Sequence, residues 1–421
     1  MTDSVGNSME AGREQENHRR DLEIAHSHFR AGDFAGAEKT YLKMRNEDPK
    51  DHRAAARLGY IALLANRLED AQKWLTEAIK LKPEEAALKS LLAEAYYRQD
   101  RFQQAVPLLR ASRKEAMAKK LESFKNVSPY RIEGTAEVTN LEFVITDPLP
   151  LVQVRVNNSE LVNFLIDTGG AELIIDTEFA KEIGATLFKS EVGTFAGGKK
   201  APFQHGRVDS LTLGGFTVKN VPAHILDVRR FSQPIFAGTR VDGIIGTVLL
   251  YHFFATLDYP EGQLILHRRT AQNLKQVEQE AVEQGSVVVP FWMAGDHFMV
   301  AWGTVNNSQP MLFVVDTGLA GGGFSCPKST LRKADITLQE DQADYGLGGG
   351  GKVRVTPFVV DVLTLGDARE HKIQGSYAEG GFPLEEAFGF HIGGLVSHGF
   401  FRPYSLTFDF VGMRYFLRRK T

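Results

Sequence analysis

The sequence predicts a multidomain protein in which an all-α solenoid of helix-turn-helix repeats precedes an all-β, two-lobed region with internal pseudo-two-fold symmetry. Small residues recur at a regular period in the first third of the chain, which indicates stacked helices. After Pro129, short runs of Val, Ile, Phe and Thr alternate with Gly and Asn, which indicates strands and turns. Two lobes are predicted by two near-identical stretches, Val156 to Gly169 (VNNSELVNFLIDTG) and Val305 to Gly318 (VNNSQPMLFVVDTG).

The composition limits the classes of function. The chain has 421 residues, of which 43% are hydrophobic, and this is enough material for two or three cores. Its net charge is −3 and its basic residues are interspersed with acids, so we expect no nucleic-acid partner. Cys326 is the only cysteine, which excludes an intrachain disulfide. We see no signal peptide and no membrane-spanning segment, and therefore expect a cytoplasmic location rather than a periplasmic or exported one.

The first part of the chain is polar and then becomes repetitive. We predict a disordered tail over residues 1–17 and a helical domain over residues 18–127. The repeated group is Gly32-Asp33-Phe34 with Ala37, then Asn66-Arg67-Leu68 with Ala71, then Asp100-Arg101-Phe102 with Ala105; Pro49 recurs as Pro83. Small residues let antiparallel helices approach, and a proline ends the second helix of a pair. The period resembles the tetratricopeptide repeat, which implies about three repeats and a face on which a protein partner docks.

The β region is predicted to contain two lobes joined by a helix. We assign lobe 1 to residues 128–270, a helical connector rich in Gln, Glu and Ala to residues 271–284, and lobe 2 to residues 285–421. Asn157 and Asn306 each lie between two apolar runs. Because Asn tolerates positive φ, each is expected to turn a hairpin that leads into the next strand.

The internal repeat extends beyond the two copied stretches. Val208 to Gly214 (VDSLTLG) corresponds to Val360 to Gly366 (VDVLTLG). Ile244-Ile245-Gly246, followed by Phe253-Phe254, matches His391-Ile392-Gly393, followed by Phe400-Phe401. The three landmarks keep their order and nearly their spacing. A repeat of this length is too long for a solenoid unit, so we expect two homologous lobes packed as a pair.

Each lobe therefore carries an apolar strand that ends in Asp-Thr-Gly and a later apolar-Gly segment. In this respect the chain, from about residue 130 to its end, resembles the aspartic peptidases of the pepsin and retropepsin clan, and among them the bacterial retropepsin-like type. The resemblance implies that Asp167 and Asp316 face each other and hold one water. It implies that the dyad is supported by Thr168, Gly169, Thr317 and Gly318, and that the segments crossing behind it are Ile244-Ile245-Gly246 and Ile392-Gly393.

Two carboxyl groups at one point have a chemical use. Like charges a few ångströms apart cannot both ionise at low cost, so the pair shares one proton and titrates as a coupled dyad. The ionised carboxylate takes a proton from water, which attacks the peptide carbonyl, while the protonated carboxyl hydrogen-bonds the developing oxyanion. The reaction needs no metal, cofactor or covalent intermediate.

The resemblance also predicts a glycine-rich hairpin that closes over the substrate. Its residues in lobe 1 would be Thr194, Phe195, Ala196 and Gly197, and this stretch lacks the flap tyrosine of the pepsin branch. The corresponding stretch of lobe 2, residues 345–352, is either a second flap, as in retropepsin dimers, or a loop.

The chain departs from the family after each Asp-Thr-Gly. The next residue is commonly Ser, Thr or Ala, and a hydroxyl there hydrogen-bonds the carboxylate. Here it is Gly170 in lobe 1 and Leu319 in lobe 2, and neither side chain can donate a hydrogen bond. Losing donors to the charged form raises the pKa of a carboxyl, so we expect a dyad that works at weakly acid to neutral pH.

These features predict an aspartic endopeptidase that acts on a peptide or protein substrate, with a monomeric catalytic unit because both halves lie in one chain. Two other hypotheses remain. The cleft could belong to a catalytically inactive pseudoprotease that only binds peptides, or the repeats could make the protein an adaptor or scaffold. The presence of both aspartates favours the enzyme.

Overall fold

The computed structural model describes residues 2–380 and 383–420, with the side chains of these ranges except those of residues 2–15 and 196. The chain divides into two compact units. A helical unit contains Met1–Arg113 and Leu384–His391, and a β-rich unit contains Lys114–Pro383 and Ile392–Thr421.

Six helices form the first part of the helical unit: α1 (Thr2–Ala31), α2 (Phe34–Glu47), α3 (His52–Leu64), α4 (Leu68–Leu81), α5 (Ala86–Tyr97) and α6 (Phe102–Ala111). They pack in consecutive pairs, α1 with α2, α3 with α4, and α5 with α6. The repeated alanines, Ala37, Ala71 and Ala105, are completely buried. A methyl group at these positions leaves room for close packing of the neighbouring helix, as the sequence predicted.

The turn inside each pair also repeats. Gly32, Asn66 and Asp100 have φ values of 82°, 54° and 58°, in the left-handed region. Glycine, asparagine and aspartate are the residues that enter this region at least cost. After α2 and α4 come Pro49 and Pro83, which cannot continue a helix.

The predicted disordered tail is helical in the structure. Helix α1 starts at Thr2, so all of residues 1–17 except Met1, which lies outside the described residues, extend the first helix of the repeats. The stretch contains no proline. Extending a helix that its packed part has already nucleated costs much less free energy than starting a new one. A polar segment can therefore continue the helix, and the prediction of disorder, which was based on polarity alone, was wrong.

The helical domain also ends earlier than predicted. Helix α7 (Glu115–Glu122) belongs to the β-rich unit, whose first residue is Lys114, and it packs against two strands of that unit. Its buried face contains Lys120, which is completely buried and paired with a carboxylate of the β-rich unit. The boundary therefore lies at residue 113 rather than 127.

The first half of the β-rich unit contains eleven strands and four helices after α7. The strands are β1 (Arg131–Glu133), β2 (Val138–Ile145), β3 (Leu151–Val156), β4 (Val162–Ile166), β5 (Leu173–Asp176), β6 (Thr186–Phe195), β7 (Lys199–Leu213), β8 (Phe216–Leu226), β9 (Gly243–Ile245), β10 (Phe253–Asp258) and β11 (Gln263–Arg268). The helices are α8 (Thr177–Glu182), α9 (Val228–Ile235), α10 (Thr247–Leu250) and α11 (Ala271–Glu283). Helix α11 occupies the predicted connector, and the Thr270 hydroxyl caps it by accepting from the Asn273 amide at 3.2 Å.

The described residues of the remaining chain add ten strands and three short helices. The strands are β12 (Val287–Ala294), β13 (Phe298–Val305), β14 (Met311–Val315), β15 (Phe324–Ser325), β16 (Asp344–Gly348), β17 (Gly351–Leu365), β18 (Ala368–Ala378), β19 (Gly394–Val396), β20 (Tyr404–Asp409) and β21 (Arg414–Arg419). The helices are α12 (Lys328–Lys333), α13 (Leu384–Phe388) and α14 (His398–Phe401). Lobe 2 was predicted as continuous, but α13 is part of the helical unit.

The strand pairings of the first half recur in the second. Strand β3 pairs with β4 and β7, as β13 pairs with β14 and β17. Strand β4 runs parallel to β9, as β14 runs parallel to β19. A sheet with the order β2-β11-β10-β20-β21-β12 joins the halves through the antiparallel pair β10 and β20. The duplication seen in the sequence is therefore a duplication of strand pairing.

The two predicted asparagine turns have the same structure. Asn157 and Asn306 have φ values of 52° and 50° and connect antiparallel pairs, β3 with β4 and β13 with β14. The Asn157 side-chain oxygen accepts from the Asp209 amide at 2.9 Å, and the Asn306 oxygen accepts from the Asp361 amide at 2.9 Å. Each asparagine thus both turns its hairpin and holds the neighbouring long strand.

Candidate active site

The two aspartates lie at equivalent ends of the two hairpins. Asp167 follows β4 and Asp316 follows β14, so each stands where a parallel pair of strands ends. The Asp167 amide donates to the Ile245 carbonyl at 3.1 Å, and the Asp316 amide donates to the Val396 carbonyl at 3.0 Å. Each aspartate is therefore held by the strand that runs beside it.

The threonines interlock the two halves. The Thr168 amide donates to the Thr317 hydroxyl oxygen at 3.1 Å, and the Thr317 amide donates to the Thr168 hydroxyl oxygen at 3.0 Å. Each hydroxyl then donates across to the other half, Thr168 to the Val315 carbonyl at 3.2 Å and Thr317 to the Ile166 carbonyl at 3.4 Å. Both threonines have no exposed surface, so these four bonds are made out of water.

The carboxyl groups of Asp167 and Asp316 lie close together, each against the glycine of the opposite loop. The Gly169 amide donates to Asp167 Oδ1 at 2.8 Å, and the Gly318 amide donates to Asp316 Oδ1 at 2.8 Å. A Cβ atom on Gly169 would collide with the Asp316 carboxylate, and one on Gly318 would collide with that of Asp167. Glycine is therefore required at both positions by the close approach of the opposite aspartate.

The environment of the pair favours one proton. Burial raises the pKa of Asp167 well above its ordinary value, the charge of Asp316 raises it further, and the amides of Gly169 and Gly170 lower it by a smaller amount. The residues are nevertheless half-buried rather than enclosed, so solvent reaches the site. The arrangement can hold a proton on one carboxyl and a negative charge on the other.

The strand that runs beside β4 is β9, and its counterpart in the second half lies at a different place from the one expected. Strand β9 places Ile244 beside β4, and a Cβ atom on Gly246 would lie only 2.6 Å from the Gly170 carbonyl oxygen. In the second half the equivalent register pairs Phe313 with Gly394 and Val315 with Val396.

Ile392 and Gly393 therefore precede the crossing segment instead of forming it, and the alignment on the tripeptide ending in Gly393 was wrong. Ser397 occupies the place of Gly246, so alignment on that glycine shifted the second copy by four positions. Gly394-Leu395-Val396 matches Gly243-Ile244-Ile245, and an alignment on the glycine before the two apolar residues finds it.

Two hydroxyl groups of the site were missed. The Thr247 hydroxyl donates to the Thr168 carbonyl at 2.8 Å, and the Ser397 hydroxyl accepts from the Leu319 amide at 3.1 Å. Both residues are completely buried. Gly170 and Leu319 lack hydroxyl groups. Thr247, which follows β9, supplies a hydroxyl group to the loop that contains Asp167, and Ser397, which follows β19, supplies one to the loop that contains Asp316.

Residues 152–249 match the family model described as aspartyl protease. The match includes Asp167, its threonine and the Ile244-Ile245-Gly246 segment. Tetratricopeptide repeat models match residues 22–86 and 65–118. The chain thus contains an aspartyl protease domain and tetratricopeptide repeats.

Solved structures and curated proteins give no further family assignment. Among solved structures, a mutant O-GlcNAc transferase of Thermobaculum terrenum is 20% identical over 24% of this chain and 20% of that chain, with a TM-score of 0.24. The chain thus spans only a fifth of that protein's length. No curated protein matches the chain.

The candidate flap of the aspartyl protease domain is the tip of the hairpin β6–β7. Thr194 and Phe195 end β6, and a short 3₁₀ turn, Ala196–Gly198, leads into β7. The second candidate is the tip of β16–β17. A Cβ atom on Gly349 would lie 2.6 Å from Phe195 Cδ1, and one on Gly350 would lie 2.5 Å from the Lys199 Cβ, so the two tips touch.

A buried ion pair fixes the loop that follows Asp167. The Lys120 ammonium, on α7, contacts the Glu172 carboxylate at 2.7 and 2.6 Å, and both side chains are almost completely buried. His224 lies 3.5 Å from the same carboxylate. Burial lowers the pKa of His224 to about 3, so it stays neutral and Lys120 supplies the positive charge.

In the described ranges no helix has both the length and the apolar character that crossing a membrane requires. The described His, Cys, Asp and Glu side chains form no group of three that could hold a metal ion.

Proposed function

We propose that the protein is an aspartic-type endopeptidase whose catalytic residues are Asp167 and Asp316. One observation carries the proposal: the reciprocal hydrogen bonds of Thr168 and Thr317 bring two carboxyl groups from the two halves of one chain into contact. A structural turn needs one aspartate, whereas a pair held this closely at a solvent-accessible point costs free energy, and a catalytic role accounts for this cost.

The mechanism follows from the shared proton. The ionised carboxylate accepts a proton from a water held between the pair, and the water oxygen attacks the carbonyl carbon of the peptide bond. The protonated carboxyl stabilises the oxyanion that forms. The carboxyl that received the proton then donates one to the leaving nitrogen, and the C–N bond breaks. Positioned proton transfer of this kind contributes about 10²- to 10⁴-fold, and orientation of the water and substrate contributes the rest.

The two hairpins β6–β7 and β16–β17 are proposed as a pair of flaps over an extended substrate. The contact of their tips, and the recurrence of each half's strand pairings, support a pseudo-two-fold arrangement with one flap from each half. The substrate would lie as an added strand between flaps and dyad, bound through its main chain. A monomeric catalytic unit is sufficient, since one chain supplies both halves.

The tetratricopeptide repeats are proposed to dock a substrate or a regulator for the protease. The same fold without catalysis would be a peptide-binding pseudoprotease, and this second candidate retains the flaps and repeats. The close approach of the two carboxyl groups, for which Gly169 and Gly318 leave space, favours the enzyme. A cleft that only binds peptides does not require glycine at these two positions.

Cleavage of a diverse peptide library from about pH 4 to about pH 8 tests the proposal. We expect the wild type to cleave, and we expect both Asp167→Asn and Asp316→Asn, each shown to be folded, to lose at least 10³-fold in rate. The raised pKa of Asp167 supports activity at weakly acid to neutral pH. Absence of cleavage by the folded wild type throughout this range favours the pseudoprotease, and a rate maximum below about pH 4 contradicts the proposed tuning of the dyad.

A further inference from the structure

A short segment of the second β half is part of the helical unit. The β-rich unit ends its first stretch at Pro383, the segment Leu384–His391 belongs to the helical unit, and the β-rich unit resumes at Ile392. Helix α13 and the three residues after it form this segment, which we call the docked segment. Its sequence, LEEAFGFH, contains an aromatic–Gly–aromatic pattern.

The two aromatic rings of the docked segment are buried. Phe390 has 2% of its surface exposed, and its ring meets those of Phe29 and Phe34 edge to face, with centroids 5.8 and 5.0 Å apart. Phe388 stacks on Phe390 at 5.7 Å. The receiving surface is formed by the end of α1, the start of α2 and helix α3.

The repeats also bind the main chain of the docked segment. The Tyr60 hydroxyl donates to the Phe388 carbonyl at 3.2 Å, and the His391 amide donates to the Arg30 carbonyl at 2.9 Å. Arg30 lies in the last turn of α1, where helix carbonyls have no partner inside the helix. Gly389 has a φ of 78°, which only glycine adopts easily, and this turn separates the two aromatic residues. Apolar side chains buried by a groove and a main chain held by hydrogen bonds are the features of a bound peptide.

The docked segment is directly connected to the catalytic site. Only Ile392 and Gly393 separate it from β19, and the Gly393 amide donates to the Leu312 carbonyl at 2.7 Å. At the end of β19 the Val396 carbonyl accepts from the Asp316 amide. The chain from residue 391 to the strand that holds Asp316 is therefore only a few residues long.

We propose that the docked segment is a tethered ligand of the helical repeats, and that the surface it covers is the binding site for a partner polypeptide with the same aromatic–Gly–aromatic pattern. Such a partner competes with the docked segment, frees it, and loosens β19 behind Asp316. A regulatory effect of partner binding on catalysis rests on the proposed function. The binding site on the repeats and the loosening of β19 do not depend on it. A tethered ligand acts at an effective concentration of about millimolar, so a free peptide must overcome it.

The test uses the full chain and a fluorescent peptide with the sequence LEEAFGFH. We compare the wild type with Phe388→Ala/Phe390→Ala, which detaches the docked segment, and with Gly389→Val, which strains its turn and keeps both aromatic rings. We expect both variants to bind the peptide more tightly than the wild type, by up to roughly 100-fold. A peptide with both phenylalanines replaced by alanine is the matched control and should not bind. Tyr60→Phe in the detached variant should weaken binding roughly threefold to tenfold, because one hydrogen bond is lost.

Amide hydrogen exchange gives a second readout that needs no catalytic activity. We expect the Asp316 amide to exchange faster in both detached variants than in the wild type, with the Asp167 amide, held by the other half, as the internal control. The inference is overturned if folded variants of both kinds bind the peptide no better than the wild type, or if the alanine peptide binds equally well. A wild-type dimer that the detached variants lose would instead assign the site to the docked segment of a second copy. Loss of peptide cleavage alone, with these results unchanged, counts against the proposed function and not against the docking site.

Discussion

At the scale of single residues, the candidate site contains a carboxyl group, Asp167, whose surroundings raise its pKa. Burial, and then the charge of Asp316, raise the pKa of Asp167, so the folded protein binds a proton more tightly there than the unfolded chain does. The contribution of Asp167 to the free energy of unfolding is therefore fully present below the ordinary aspartate pKa of about 3.9. It is lost as the pH rises from there through the raised pKa of the folded state. The same property that makes the pair useful makes it a source of instability at neutral pH.

We predict that Asp167→Asn melts at a higher temperature than the wild type near pH 7, and that this difference shrinks as the pH falls to about 4. Asparagine keeps the shape of the side chain but does not titrate. Thermal unfolding of both proteins over this range measures the effect. Asp209→Asn, at an exposed position, is the matched control and should shift the melting temperature little. A difference that is the same at every pH would contradict the assigned cause.

We predict that Thr168→Val lowers the free energy of unfolding by about 1–3 kcal/mol. Valine has the same shape, but it leaves the buried Thr317 amide without its acceptor at 3.0 Å. Urea unfolding measures the loss. Thr317→Val should cost a similar amount, since it removes the other two bonds of the interlock. The double variant should cost less than the sum, because the two residues are in contact and the first substitution already loosens the place where the second acts. Thr186→Val, on an exposed side of β6, is the control. Strict additivity would show that the interlock is not cooperative.

At the scale of elements, α7 is the piece whose membership the sequence did not reveal. Its pattern of Glu, Lys and Ala predicts a helix, and as a helix it continued the helical repeats in our interpretation. Its partner, Glu172, lies 52 positions later in the chain, so the ion pair could not be inferred from neighbouring residues. The sequence signal was Lys120, which lies on the same helix face as Ala116 and Leu121. A lysine on a buried face needs a carboxylate partner, and this indicates that α7 packs against another part of the protein.

We predict that Lys120→Met destabilises the β-rich unit by about 3–5 kcal/mol, because the Glu172 carboxylate stays buried without its cation. The double variant Lys120→Met/Glu172→Gln should recover part of this loss, since no unpaired charge remains. Chemical unfolding of the full chain measures both. Lys125→Met, on an exposed residue shortly after α7, is the control. A double variant less stable than Lys120→Met would refute the ion-pair account.

Local patterns predicted elements well and long-range register less well. The alanine period, the asparagine turns and the two Asp-Thr-Gly strands each depend on residues within one hairpin or one helix pair, and a sequence displays these directly. The segment behind Asp316 depends on which residue of β19 faces β14, and a shift of four positions there leaves the local pattern plausible. Ser397 replaces the glycine that guided the alignment, and its hydroxyl role appears only when Leu319 is placed beside it.

At the scale of the whole molecule, the unit boundaries decide where the chain can be cut. The predicted boundary at residue 127 would remove α7 together with the repeats, whereas the observed boundary at residue 113 keeps it. Both cuts leave the docked segment without Phe29 and Phe34, its aromatic partners. The remaining protein would then expose two phenylalanines in one short stretch.

We predict that a chain lacking residues 1–113 folds and cleaves peptides but associates through Phe388 and Phe390, because exposed apolar patches drive aggregation. Replacing both by serine should restore a monomer and leave the cleavage rate of this shortened chain unchanged. A chain lacking residues 1–127 should be much less stable because Lys120 is absent. Analytical ultracentrifugation and peptide cleavage measure these outcomes. Equal stability of the two shortened chains would show that α7 is dispensable.

The asparagine turns point to how such a molecule can change over time. Asn157 and Asn306 make the same hydrogen bonds in the two halves. Other equivalent positions differ, since Gly246 of the first half corresponds to Ser397 of the second, and Gly170 corresponds to Leu319. A site made from two identical subunits must accept every substitution twice. Here a substitution in one half is not copied to its counterpart, so the two halves are free to diverge. In the proposed enzyme, the two halves would then bind the two sides of an asymmetric substrate differently.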